Sequence, residues 1–551
     1  MTARPETICL IHSHLGPALT GLGCRVVSLD PPEGLADLPR LLAGLAEPVD
    51  CVVHQEHLGR RLVLTGLDKA PCPTVFWSLD THLNAFWQRH YATGFCAVAT
   101  SQPHLLADLA PPGTRPAAWI PWHGQDRPFV PHADRAQALA FVGRLSPQRH
   151  RRRWFCDHLA RFGLSHRQDA FGPALGAAYD TARIVPNECI AGEVNLRLFE
   201  AASSGCLVVS PRAPREVEEL FAPDREAFYY DDVLELDERL RFALAHPDLT
   251  ERLGRAAWAA VAARHLPEHR AAALLGLLRR AGPPPRDSQA RAGTALAVYH
   301  LNRAGQLATP RAAIWGLVAE APGTPAIVAA RLQLALADAN RELAAALCAL
   351  CLTRPELSGD ARSACACALA ALRLCDAATA ARAYVGFLAA SGRRDAPRLR
   401  APRDYLLFFA KALEAVGEVA APGMPFDPAV HLPETAVQCL IAAQALHPHD
   451  VDIERRLEAL LRRQPGTEAE RVGLLSDLTL RRPDDWSLAL ELGLANLRGC
   501  RLEAGVEEVR LAGATAARLG QGERFVRRLA LADPSGRIAR AALGGEDGAV
   551  R

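Results

Sequence analysis

Short apolar runs that do not alternate with polar residues fill the first half of the chain. They read "TICLIHS" (7–13), "CRVVSLD" (24–30), "VDCVVHQ" (49–55), "PTVFWSLD" (73–80), "FCAVATS" (95–101) and "PAAWIPW" (116–122). Each is rich in β-branched or aromatic residues and is bounded by Pro, Gly, Asp or Ser, the punctuation of a strand. A strand with one wet face alternates; one that is apolar throughout must be covered on both faces, as in a parallel sheet flanked by helices. Amphipathic segments between the runs supply those helices. The feature therefore predicts an α/β chain with doubly wound, Rossmann-like sheets.

At 551 residues the chain is too long for one core. The strand pattern restarts at "ALAFVGRL" (138–145) and continues through "DAFGP" (169–173), "ARIVPN" (182–187), "CLVVSP" (206–211) and "AFYYDD" (227–232). One long helix is expected from near Thr250 to near Arg280. "AGPPPRDSQ" (281–289) then breaks the pattern, since three successive prolines cannot continue a helix. Beyond Gln289, Ala, Leu and Arg recur at helical spacing. Pro322 and Pro355 stand 33 apart and Pro448 and Pro483 35 apart, near the 34-residue period of tetratricopeptide repeats. The expected division is a first Rossmann-like, acceptor-side domain over 1–132 and a second over 133–282 that binds a nucleotide-sugar. A Pro-rich linker over 283–289 and an all-α, tetratricopeptide-like domain over 290–545 follow.

A net charge of +2 gives no global field to recruit nucleic acid or an anionic membrane. No run of about 18 apolar residues predicts a membrane span, and the N-terminal stretch shows no apolar leader segment, so a cytoplasmic location is expected. The 15 cysteines fall mostly inside apolar runs and read as reduced core residues. Cys348, Cys351, Cys365 and Cys367 form a CxxC and a CxC, but in Ala/Leu-rich helical text rather than the turns of a zinc knuckle, so packing is expected there.

The stretch "NECIAGEVNLRLFEAASSGCLVVSPR" (187–212) carries the most chemistry. In a helix starting near Gly192, Val194, Leu198, Ala201 and Ala202 form one apolar stripe, with Glu193, Arg197 and Glu200 beside it. These charges suit a solvated face with two helical ion pairs. They equally suit an anion site: Gly192 lets a ligand approach the free N–H groups, Arg197 can fork onto phosphate oxygens, and Glu200 can accept both hydrogen bonds of a diol.

Two successive α/β domains, the second carrying this stretch, resemble the GT-B glycosyltransferases, in particular the CgeB-like branch (spore-maturation-type glycosyltransferases), related to glycosyltransferase family 4. The resemblance covers about residues 70–280, through "FWSLDTHLN", "WIPWHGQD", "LAFVGRLSPQRHRRRWF", "NECIAGEVNLRLFEAASSGCLVVS", "ELFAPDREAFYYDD" and "RLGRAAWAAVAARHLPEHR". It implies that Glu200 binds the donor ribose and that Asn195 and Arg197 belong to an N-x-R-x-F-E element. Relatives with the fuller E-x7-E motif place their first glutamate where this chain has Gly192; here the acid stands at Glu193. Gly143 permits close approach at a strand end, and Arg144 and Arg152 supply cations for the diphosphate. Asp80 and His82, at the end of a first-domain strand, take the catalytic places that touch donor sugar or acceptor hydroxyl. The implied activity is transfer of a hexose-type sugar from a nucleotide-diphosphate donor to an acceptor hydroxyl, on a protein or a surface glycan precursor held by the helical region. No acidic DxD motif is placed for a metal, so neither metal nor cofactor is expected, and retention of configuration is implied by the family. Two other readings stay open on the residues: an inactive scaffold whose helices carry the function, and a nucleotide-sugar epimerase.

Overall fold

The apolar runs assemble into two parallel sheets. The protein is described by a computed structural model covering residues 6–146, 149–285, 288–392 and 398–544. Pro147 and Gln148 of the "FVGRLSPQRH" stretch, Arg286 and Asp287 of the expected linker, and Gly545 lie outside the described residues. The chain divides into two compact units, Met1–Pro121 with Ala271–Leu460 and Trp122–Arg270 with Leu461–Arg551.

In the first unit, β1 (Thr7–Ile11), β2 (Arg25–Leu29), β4 (Cys51–Gln55), β6 (Thr74–Ser78), β7 (Ala97–Thr100) and β8 (Ala117–Trp119) form one sheet in the order β2-β1-β4-β6-β7-β8. β3 (Gly34–Asp37) and β5 (Leu62–Thr65) pair separately. The sequence pattern does not announce this small sheet, because "GLAD" and "LVLT" are too short to show a period. The helix Ser288–Arg303 sends Ala292, Ala295, Leu296, Val298 and Tyr299 into the same core as Phe76, Phe86, Trp87 and Tyr91.

In the second unit, β9 (Gln137–Val142), β10 (Ser165–Arg167), β11 (Ala182–Pro186), β12 (Leu207–Pro211) and β13 (Ala227–Tyr230) run parallel in the order β10-β9-β11-β12-β13. Four of the five strands follow the sequence expectation. The fifth corrects it: the strand is "SHR" (165–167), and "DAFGP" is the loop and helix start that follow. The expected helix from Thr250 to Arg280 is two helices, Pro247–Arg264 and Pro267–Leu278, because Pro267 cannot extend the first. After Ser288 every described element is a helix. Those beyond Leu461 complete the second core: Trp486, Leu490, Leu494, Leu497, Val509, Phe525 and Leu529 share one apolar cluster with Leu139, Phe141, Phe155, Ile184, Leu207 and Val209.

The four weighed cysteines are buried in helices Arg341–Thr353 and Ala361–Arg373. The Cys348 and Cys367 thiols each donate to the other's backbone carbonyl, at 3.7 and 3.6 Å, which is the core role expected of them. No helix among the described residues is long and apolar enough to cross a membrane.

Candidate functional site

The strand order of the second unit sets the site. From β9 the chain moves outward to β10, and from β11 it moves the other way to β12, so a crevice opens at the carboxyl ends of β9 and β11. Ligands of doubly wound sheets bind at such switch points. The lips are Val142–Gly143–Arg144 on one side and Asn187–Glu188 on the other.

The helix after β11 begins at Leu196, not near Gly192. Asn195 is its N-cap: its Oδ1 accepts from the Leu198 N–H (3.3 Å), and its Nδ2 donates to Asn187 Oδ1 and the Glu188 carbonyl (3.1 Å each). An asparagine cap satisfies an otherwise orphaned helix N–H. Arg197, in the first turn, spans both lips. Its Nε donates to the Val142 carbonyl (3.1 Å), one terminal nitrogen donates to Asn187 Oδ1 (2.8 Å) and the Glu188 carbonyl (3.1 Å), and the guanidinium lies 4.4 Å from the Phe141 ring centre. A Cβ on Gly143 would sit 2.9 Å from Phe141 and 3.1 Å from the Arg197 guanidinium. The glycine therefore makes room for the arginine as well as leaving the strand end open.

Arg152 is buried, and its Nε donates to Glu188 Oε2 at 2.8 Å. Burial pushes the Glu188 carboxyl up, but Arg152 and then Arg151 pull harder and hold it below its ordinary value. Arg151 donates to the Cys189 carbonyl (2.8 Å) and the Arg498 carbonyl (3.4 Å), and stands 3.8 Å from Glu468. It thus ties the loop after β11 to the C-terminal helices.

Gly192 lies in a left-handed turn with Ala191 (φ +71° and +48°), four residues before the helix. A second left-handed turn, at Gly466 (φ +78°), packs against it: a Cβ on Gly466 would come within 2.7 Å of the Ala191 nitrogen, and one on Gly192 within 3.1 Å of Pro465. Glu193 closes the turn by accepting from the Ile190 N–H at 3.2 Å; burial pushes its carboxyl up.

Glu200 stands one turn beyond Arg197. Its carboxylate is half-buried and makes no hydrogen bond or ion pair among the described residues. Burial pushes it up to about 7, with Arg197 pulling the other way. A poorly solvated acid lacking a partner suits a ligand that brings its own donors.

Asp80 and His82 belong to the first unit, at the start of the helix Thr81–Tyr91. Asp80 makes no side-chain cap. Buried Glu56 instead braces the turn that leads into the helix: its carboxylate accepts from the Leu79 and Asp80 N–H groups (2.8 Å each) and from Asn84 Nδ2 (2.8 Å). Asp80 is half-buried and His82 is 4% exposed. The structure therefore brings Gly143, Arg144, Arg152, Asn195 and Arg197 together around the lips, Gly192 and Glu193 at the turn, and Glu200 one helical turn on. Sequence reasoning passed over Glu56, Arg151 and Glu188. Glu188 alone left a local signal, an acid directly after the strand "ARIVPN".

Residues 126–276 match the family described as glycosyl transferase-like. No curated protein matches the chain. Among solved structures, the chain is similar to a sucrose-phosphate synthase from Thermosynechococcus elongatus at 13% identity and a TM-score of 0.35, covering 50% of this chain and 98% of that one. Anabaena HepE in complex with UDP-glucose gives 14% identity, a TM-score of 0.32 and coverages of 49% and 99%. AviGT4, a glycosyltransferase involved in avilamycin A biosynthesis, gives 15%, 0.30, and 50% and 98%. The matched segment begins before β9 and ends after β13, so the second sheet, with its crevice and its Arg197–Glu200 helix, lies within the stretch similar to that family.

Proposed function

We propose that this protein transfers a sugar from a nucleoside diphosphate donor to an acceptor hydroxyl, and that the β9/β11 crevice holds the donor. What carries the reading is the coincidence of the glycosyl transferase-like segment with a complete switch-point crevice whose one helix presents an unpartnered carboxylate. Glu200 accepts the ribose diol. Arg144, exposed at the lip, offsets charge growing on the leaving diphosphate. Arg197 shapes the crevice and adds positive field, while Asn195, Arg152, Gly192 and Glu193 hold the loop between them. Asp80 and His82 are assigned to the sugar or the acceptor hydroxyl. The acceptor is a protein or a surface glycan precursor gripped by the helices, and transfer retains configuration.

Glu200→Ala is expected to raise the donor KM about 10–100-fold, the loss of a charged hydrogen-bonding partner. Steady-state kinetics on a folded variant checks this, and an unchanged KM refutes the ribose assignment. A carboxyl raised to about 7 adds a pH signature. A raised carboxyl favours the folded chain fully below its unfolded value of about 4.5, and that contribution is lost as pH rises through 7. The diol binds the ionised form, so nucleotide affinity is expected to improve about 10-fold from pH 6 to pH 8. In Glu200→Gln this change should flatten, as calorimetric titration would show. The proposed metal-free chemistry predicts turnover unaffected by a chelator; turnover that vanishes and returns with added divalent ions contradicts it.

A further inference from the structure

We propose that Glu56 is the positioning residue of the turn that carries Asp80 and His82, an inference that rests on the role assigned to those two residues above. Glu56 directly follows β4, and the turn directly follows β6, the next strand of the same sheet. The two carboxyl ends are therefore neighbours, and a side chain from one reaches the backbone of the other. Glu56 is 3% exposed, and the reaction gives it no part of its own. Burying a carboxylate is unfavourable unless donors surround it, and a site that needed only filling would be better served by an apolar side chain.

Among the described residues, each hydrogen-bonding partner of Glu56 is a donor. Oε2 accepts from the consecutive Leu79 and Asp80 N–H groups (2.8 Å each). Oε1 accepts from Asn84 Nδ2 (2.8 Å) and from Arg61 (3.3 Å). The Asn84 amide is held in that orientation, because its Oδ1 accepts from Arg61 and from Trp87 Nε1 (3.2 Å each). Such a set calls for an acceptor at both oxygens; a glutamine would set its N–H groups against other donors. The turn is also held from the residues after β7. Ser101 Oγ and Gln102 Nε2 (3.3 Å) both donate to the Leu79 carbonyl, and Thr81 Oγ1 lies 2.6 Å from Thr100 Oγ1. Leu79 thus has its N–H and its C=O fixed by side chains from two different strand ends. Glu56 sets the backbone from which Asp80 and His82 project, and a shift of about 1 Å in a reacting group costs on the order of 100-fold in rate.

The test uses the full chain and follows release of nucleoside diphosphate from UDP-glucose, UDP-galactose, dTDP-glucose, ADP-glucose and GDP-mannose, with water as the acceptor. Glu56→Gln is expected to lower kcat about 10–100-fold on the best donor and to leave its KM within about 2-fold. In an Asp80→Ala/His82→Ala background the same substitution should change kcat less than about 2-fold, because the groups it positions are gone. Asn84→Ala, which removes one donor and leaves both backbone bonds, should repeat the pattern at about 3-fold, and it decides by the same criteria where Glu56→Gln does not fold. Two outcomes overturn the proposal alone: wild-type kcat in the folded Glu56 variant, or an equal loss in both backgrounds, the mark of a purely structural brace. Wild-type kcat in the Asp80→Ala/His82→Ala chain overturns the assignment of those residues, and this inference with it. A wild-type chain that turns over none of the five donors overturns the glycosyl-transfer reading, and again this one with it.

Discussion

A chain cut after Leu460 is expected to lose the fold of its second sheet altogether. The deletion removes Trp486, Leu490, Leu494, Leu497, Val509, Phe525 and Leu529 from the cluster that also contains Leu139, Phe141, Ile184 and Val209 of the sheet. Each such side chain contributes about 1.5–3 kcal/mol when fully buried. Several together exceed the roughly 5–15 kcal/mol that holds a whole domain folded. The cut also takes away Glu468 and the Arg498 carbonyl, two of the groups that hold Arg151. The truncated protein should aggregate or melt without a cooperative transition, and should bind no nucleotide. If calorimetry instead shows a sharp unfolding transition and nucleotide binding survives, the C-terminal helices are a detachable appendage and the shared core is not needed.

Arg152→Ala is expected to destabilise the second unit by about 3–5 kcal/mol, the usual cost of stranding one half of a buried ion pair. The Arg152 and Glu188 side chains are 5% and 3% exposed, at 2.8 Å, so neither is screened by water. Adding Glu188→Gln should recover part of the loss, because the stranded charge is removed; a double-mutant cycle on thermal stability measures the coupling. The pH dependence has a definite sign. The folded Glu188 lies below its ordinary value of 4.5, so its contribution is present above that value and is lost as pH falls through the folded one. The gap between wild type and Arg152→Ala should therefore narrow below about pH 4.5. A gap that holds constant from pH 7 to pH 3 shows that Arg152 acts by packing alone.

Much of the fold was legible because its strands are buried on both faces. "TICLI", "CVVHQ", "TVFWS" and "LVVSP" are buried end to end and carry apolar residues on both faces, and that pattern admits few alternatives. The exceptions have local reasons. "SHR" is a three-residue edge strand with polar side chains, so it carries no hydrophobic signal, and the neighbouring "DAF" attracted the assignment through its large apolar ring. The structure puts that ring in solvent.

The site divides the same way. Asn195, Arg197 and Glu200 could be picked from the sequence because their mutual spacing is local, fixed by one helix and its cap. Their partners could not. Arg197 reaches the Val142 carbonyl 55 positions away, and Glu56 accepts from the Asp80 N–H 24 positions after it. No periodicity records such contacts, since they depend on strand order.

By itself, the sequence determined the two parallel sheets, the helical character of the remainder and the residues of one helix, because each follows from side-chain pattern over a few turns or strands. Only the tertiary structure decided that the last helices belong to the core of the second sheet, that Arg152 and Glu188 neutralise each other in its interior, and that the Glu200 carboxylate makes no hydrogen bond among the described residues. Those outcomes depend on which distant groups meet and exclude water, and a one-dimensional pattern carries no information about such meetings.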